Sequence, residues 1–202
     1  VNAHRLLLAL APVAALALCC AAGADRPAAR RPEDPVRPAA TPVPADPVAA
    51  ELLRLHNAAR ASARPAPVPA LPPLGWSAAA ASAAQAWADR CEWGHDPSLP
   101  ARGMGQNIFA AASSAPEVVA TPAEAVGSWV GEAASYHHGA NRCDAGKVCG
   151  HYTAVVWRTT TAVGCAHRRC TRHSPFGAGL PRWDYWVCNY VPPGNWVGEK
   201  PY

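Results

Sequence analysis

The sequence predicts an α+β fold, and three observations carry that expectation. Between Asp46 and Ala133 apolar residues recur at three- and four-residue steps, the spacing of amphipathic helices. After Gly150 the pattern changes to short runs of β-branched and aromatic residues, the composition of strands. Of eight cysteines, Cys19 and Cys20 fall in an N-terminal segment that reads as removed on export, and the remaining six, Cys91, Cys143, Cys149, Cys165, Cys170 and Cys188, are an even set that reads as three disulfides. Helices first and antiparallel strands afterwards is the α+β order.

Residues 1–24 read as a signal peptide. His4 and Arg5 give a short basic start, Leu6 to Leu18 is an unbroken apolar run, and Ala22-Gly23-Ala24 supplies the small residues of a cleavage site. The apolar run is too short for a stable transmembrane span. The chain begins with Val1 in place of Met, which leaves the natural start open. Cys19 is a poor lipid-anchor candidate because Leu18 precedes it where a small residue is wanted. Residues 25–45 are Pro, Ala and Arg with scarcely a large apolar side chain, so they read as a disordered, partly polyproline linker. The folded domain is then 46–202.

Within it, Asp46-Pro47 makes an N-cap and first helical residue, and Val48, Leu52, Leu55 and Ala59 mark a helix to about Ala63. Pro65 to Pro73 breaks it. Ser77 caps a second helix running to Cys91, with Ala80, Ala84, Trp87 and Cys91 on one face. Thr121-Pro122 opens a third, with Glu124 at the capping-box position and Val126, Trp129, Val130 and Ala133 as its apolar face. Strands are predicted at His151 to Thr159, Ala162 to Cys170 and Trp183 to Tyr190.

Six cysteines allow 15 pairings. Cys143 and Cys149 flank a turn-forming stretch that suits a small closed loop. Cys165 and Cys170 are an odd number of residues apart on one strand, so they face opposite ways and cannot bond each other. One should reach the strand carrying Cys188, the other the helix carrying Cys91. A zinc site from Cys143, Cys149 and His137 or His138 competes with this, but its spacing does not match a Cys-x-x-Cys knuckle.

Composition excludes several classes. Charged residues are only 16% and the formal net charge is +4. The one dense basic cluster is Arg168, Arg169 and Arg172 with His167 and His173, which falls short of a nucleic-acid-binding stripe. No Gly-x-Ser-x-Gly elbow and no His-Glu-x-x-His helix is present. Eight tryptophans stand against two phenylalanines. Trp76, Trp87, Trp129 and Trp157 sit at core-facing positions, whereas Trp93, Trp183, Trp186 and Trp196 include candidates for lining an apolar groove.

Four segments carry a family resemblance: Gly94-His95-Asp96-Pro97, Gly105-Gln106-Asn107-Ile108, the run Cys149 to Trp157, and Cys188 to Asn195. Together they resemble the CAP superfamily of cysteine-rich secretory, antigen 5 and pathogenesis-related proteins. Within it, the run from Trp129, the block to Cys170 and the ending are most similar to plant pathogenesis-related class-one proteins. The resemblance implies a three-layer α-β-α sandwich with a central antiparallel sheet. It also implies disulfides Cys91–Cys170, Cys143–Cys149 and Cys165–Cys188.

It further implies a cleft tetrad at His95, Gln106, Glu132 and His151. Two imidazoles and a carboxylate, His95, Glu132 and His151, form a catalytic-type zinc set on paper. Gln106 stands where the family usually has glutamate, and an amide is a weak ligand for a dication. Ala154 stands where glutamine is usual. No catalytic residue is assigned and no cofactor is required, with Zn2+ the one candidate. The expected function is a secreted, extracellular defence protein, apoplastic if the source is a plant. It would act as a monomer by binding sterol or another lipid at a microbial membrane surface, with antimicrobial effect and without nucleic acid. The segment from Ala134 to Val148, with Tyr136, His137 and His138, lies where the resembled family has a loop implicated in sterol binding. A zinc-dependent hydrolase and an extracellular structural or adhesion protein are the alternatives. Release of a C-terminal signalling peptide by an extracellular protease would cut between Val191 and Pro192, with Val191 standing where relatives carry aspartate.

Overall fold

The computed structural model describes residues 43–115 and 120–202 of the 202-residue chain. The predicted signal peptide, residues 1–24, and nearly all of the predicted linker, 25–45, lie outside the described residues. Helix α1 spans Pro47–Ala61, and Asp46 caps it by accepting from the Val48 and Ala49 backbone N–H groups. Its buried face is Leu52, Leu53, His56, Ala59 and Arg60, turned from the predicted stripe so that Val48 is largely exposed. Strand β1 is the two residues Gly75–Trp76. Helix α2, Ala78–Ala88, is capped by Ser77 and stops short of Cys91. Strand β2, Gly105–Ala112, was not predicted; its alternation is blurred because Ile108 alone is a large aliphatic among alanines and polar residues. Helix α3, Pro122–Gly131, opens on the expected capping box between Thr121 and Glu124. It buries Val126 and Trp129 but leaves Ala133 exposed beyond its end. A 3-10 turn over Glu132–Ser135 leads into a small hairpin, β3 at Tyr136–His137 and β4 at Arg142–Cys143.

The strand predicted at His151 to Thr159 is absent: Gly150–Val155 is helix α4, and residues 156–159 are turn and loop. Strands β5, Ala162–Cys170, and β6, Trp183–Val191, follow as predicted. The sheet order is β1-β5-β6-β2. β5, β6 and β2 are antiparallel and β1 runs parallel to β5, so the sheet is mixed rather than wholly antiparallel. The parallel pair follows from connection: β1 reaches β5 through α2 and much intervening chain, not through a hairpin.

Helix α2 covers one face of the sheet, and α1, α3 and α4 cover the other. Residues alternate accordingly along β6. Trp183, Tyr185 and Val187 pack under α2, while Trp186, Cys188 and Tyr190 pack under α1 and α3. Gly164 lets α2 approach, since a Cβ there would stand 2.2 Å from the Ala81 nitrogen. All three disulfides pair as the resemblance implied. Cys165 and Cys188 are direct cross-strand neighbours on one face, and Cys170 reaches Cys91 on the other. In the chain-entropy model the 79-residue closure by Cys91–Cys170 contributes about 4–5 kcal/mol, against roughly 2 for the six-residue Cys143–Cys149 loop. The long bridge dominates.

Candidate functional site

His95 is placed by the loop after α2. Its neighbour Gly94 offers a carbonyl that accepts from Tyr185 Oη at 2.7 Å and from Trp87 Nε1 at 2.9 Å. Gln106 comes from β2. Its Oε1 accepts from His95 Nδ1 and from the Asp96 backbone N–H, both at 3.1 Å, and its Nε2 donates to Asn189 Oδ1 at 3.0 Å. The amide therefore accepts and donates at once, a task a carboxylate cannot perform. Asn189 is fully buried, and its own Nδ2 donates to the Ala80 carbonyl, which fixes its orientation.

Glu132 and His151 form the other half. The Glu132 Oε2 accepts from the His151 and Tyr152 backbone N–H groups at 2.9 and 3.1 Å, and Oε1 accepts from His151 Nδ1 at 2.5 Å. This carboxylate satisfies the orphan donors at the start of α4, a cap supplied from another element. His151 also stacks on Trp129, and its carbonyl accepts from Asn107 Nδ2 at 3.0 Å. Asn107 in turn donates to Tyr190 Oη, whose hydroxyl bonds His56 Nε2 at 2.9 Å, and His56 Nδ1 donates to the Leu52 carbonyl. A buried polar chain thus runs from the cleft to α1.

The structure gathers the tetrad. His95, Glu132 and His151 line one cavity of about 640 Å3, and Gln106 bonds His95. Trp93 and Phe176 stand half-exposed at its rim. As a metal set the group fits poorly. Glu132 spends both oxygens on α4 and His151, and Gln106 spends its amide on three partners. Among the described residues the only trio with donor atoms within 4.8 Å of one another is His56, Cys165 and Cys188, whose sulfurs are bonded to each other.

The segment matching the sterol loop lies elsewhere. Tyr136 donates to Asn141 Oδ1, His137 Nε2 donates to Asp144 at 2.6 Å, and His138 Nε2 donates to the Tyr202 carbonyl at 2.6 Å while stacking on its ring. The loop is therefore tied to the C-terminal segment. That segment is itself docked: Arg158 N–H donates to the Pro201 carbonyl, and Gly194 packs so closely on Trp157 that a Cβ would stand 2.3 Å from its ring. At the Val191–Pro192 boundary, the Val191 carbonyl accepts from the Thr161 N–H and hydroxyl, and the Pro192 carbonyl accepts from Thr160.

Sequence reasoning missed a second, larger cavity of about 730 Å3 between α1, α2, the start of α3 and β5. Val48, Leu52, Trp76, Ala166 and Trp186 wall it, and His167 supplies a polar group. His167 Nε2 donates to buried Asp184 at 2.9 Å, and its ring stacks on Trp186 at 4.4 Å. Trp186 belongs to the tryptophans that the sequence offers for a groove, whereas Trp76 reads there as core alone and the structure places it in the cavity wall. The basic cluster at Arg168 and Arg172 is tied to the end of α2 through Asp89 and the Arg90 carbonyl.

A sheet covered by helices on both faces, stapled by three disulfides and bearing a His/Gln/Glu/His cleft, defines a cysteine-rich secretory-type domain. The family model described as CAP, the cysteine-rich secretory protein family, matches residues 53–190, and the chain belongs to that family. It is 37% identical over 152 residues to pathogenesis-related leaf protein 4 of Solanum lycopersicum, covering 75% of this chain and 82% of that protein. It is 38% identical over 160 residues to the Homo sapiens peptidase inhibitor R3HDML, covering 75% of this chain but only 61% of that longer protein. The solved structure of Schistosoma mansoni venom allergen-like protein 4 shares the fold, with a TM-score of 0.55 at 24% identity over 75% of this chain and 91% of that one.

Proposed function

We propose that this is an exported, defence-type binding protein that sequesters sterol or another lipid of a microbial membrane and works without turnover. The observation that carries the reading is the apolar cavity of about 730 Å3. Ligand sites of roughly 300–1,000 Å3 with apolar walls and a few placed polar groups are the norm for small molecules. His167, steadied by Asp184 and Trp186, is such a group for a lipid hydroxyl or head. The cleft supports the same reading from the other side. Glu132 is committed to α4 and His151, so it is not free to activate a water. The tomato relative is named for pathogenesis and the human one for peptidase inhibition, neither for turnover.

Titration of the purified chain with radiolabelled sterol tests this. Saturable binding weakened roughly tenfold by Trp186→Ala supports it. No saturable binding at micromolar sterol overturns it.

A zinc-dependent hydrolase at His95, Glu132 and His151 is the competing reading. It draws support from two imidazoles lining one cleft, each with Nδ1 already engaged, the arrangement that orients an Nε2 ligand. Zinc calorimetry with a His151→Ala control separates the two. Release of the segment after Val191 belongs to the proposal as a second role, and it requires local opening because both boundary carbonyls are bonded. Mass spectrometry of secreted fluid checks it: finding only intact chain under elicited conditions sinks it.

A further inference from the structure

Among the described residues, the most exposed large apolar side chains outside the N-terminal part of the domain do not scatter. Trp196 is 56% exposed, Val197 102% and Val148 62%, and none belongs to a core cluster. Trp196 and Val197 sit in a turn closed by the Glu199 N–H donating to the Trp196 carbonyl, with Gly198 at positive φ. Val148 sits in the loop closed by Cys143–Cys149. The two tips are neighbours. Asn195 Nδ2 donates to the Gly150 carbonyl at 2.8 Å, and Cys149 and Trp196 line one small cavity. The turn is further tied down where Asn141 Nδ2 donates to the Glu199 carbonyl and Lys200 Nζ donates to that of Gly139.

Three exposed cations flank these tips, Arg142, Lys147 and Lys200. Two acids stand among them. Asp144 is occupied by His137, which holds its carboxyl below the usual range, and Glu199 is the other. Apolar side chains held out by a turn and a disulfide loop, one of them tryptophan, with lysines beside them, match an interfacial anchor. The rings and methyls enter the boundary of head groups and acyl chains while the lysines meet anionic heads.

We infer that Trp196, Val197 and Val148, with Lys147 and Lys200, form a face that docks peripherally on an anionic lipid bilayer. This surface goes beyond the lipid cavity and does not depend on it. It would hold the protein at the membrane from which a ligand is drawn. Trp196 faces the head-group layer, and Lys147 and Lys200 supply the salt-sensitive part of the attraction.

The full chain is mixed with sterol-free vesicles of phosphatidylcholine containing about 30% phosphatidylserine, and with pure phosphatidylcholine vesicles. The expected result is co-sedimentation with the anionic vesicles, weakened by salt, with tryptophan emission quenched by brominated acyl chains. Trp196→Ser/Val197→Ser and Lys147→Glu/Lys200→Glu should each lower the bound fraction roughly tenfold. Urea unfolding shows whether each variant is folded, and Val148→Ser serves as a second probe if one is not. No binding to anionic vesicles, or equal binding by the folded variants, overturns the inference, as does binding that is traced to a protein partner alone. Sterol titration in solution distinguishes failures: the turn variants keep cavity binding, whereas Trp186→Ala loses it and keeps vesicle binding.

Discussion

Glu132 and His151 are joined twice, carboxylate to backbone N–H at 2.9 Å and carboxylate to ring Nδ1 at 2.5 Å. One acid therefore starts helix α4 and sets the His151 tautomer. Glu132→Ala should cost about 2 kcal/mol, combining a lost cap with lost charge-assisted bonds. Urea unfolding measures this, and a loss under roughly 0.5 kcal/mol would show that the cap is not needed.

Gln106→Glu should destabilise rather than improve the cleft. The new carboxylate would bring an oxygen against Asn189 Oδ1 where an amide now donates, and Asn189 cannot turn without leaving the Ala80 carbonyl. The expected loss is about 1–2 kcal/mol in EDTA. Thermal melts with and without zinc check it; an unchanged or raised melting temperature in EDTA would refute the role given to the amide.

His56 is fully buried and neutral, and burial pushes its pKa down to about 4 from 6.5. An unfolded histidine protonates near 6.5, so between about 6.5 and 4 the unfolded state binds the extra proton. Stability from this group is complete above that window and falls as pH drops through it, by about 3 kcal/mol in all. Unfolding free energies from pH 7.5 to 4 should slope less in His56→Phe. Identical slopes would assign the acid sensitivity to other groups.

Arg60 is a buried cation with carbonyl partners. Its Nε donates to Pro72 at 2.9 Å, and Nη1 donates to Val155 at 3.0 Å and Trp157 at 2.8 Å, at the end of α4. Burial lowers its pKa to about 10, so it stays charged at neutral pH. Arg60→Met strands these carbonyls and should cost about 3–5 kcal/mol, while Arg60→Lys recovers only part. Melting temperatures of the two variants decide it; equal stability to the parent would show that solvent replaces the guanidinium.

The C-terminal segment should resist proteolysis in the folded protein. Tyr202 stacks on His138 and donates from Oη to the Arg64 carbonyl. Tyr202→Ala should loosen it and speed cleavage near Pro192 in limited proteolysis. Unaltered cleavage rates would place the resistance in the bonds around Val191 instead.

Local signals were enough for the elements whose ends are set by neighbours in sequence. Asp46-Pro47 opens α1 and Thr121 with Glu124 opens α3, because capping bonds span only three residues. Strand β6 was legible from its aromatic and β-branched run, β5 more faintly because Val163 is its one β-branched residue, and the opposite facing of Cys165 and Cys170 from the two-residue period. The four tetrad positions came from motif resemblance, without their bonds. Tertiary structure decided the rest. Gly150 to Val155 carries a strand-like sequence, yet Glu132 caps it at one end and Arg60 binds the Val155 carbonyl at the other, and both partners lie well away in sequence. Trp76 and His167 meet across one cavity only because β1 pairs with β5 and α2 packs over Gly164. Periodicity reports which way a side chain faces along its own element; what it faces depends on contacts between distant segments, which no local pattern encodes.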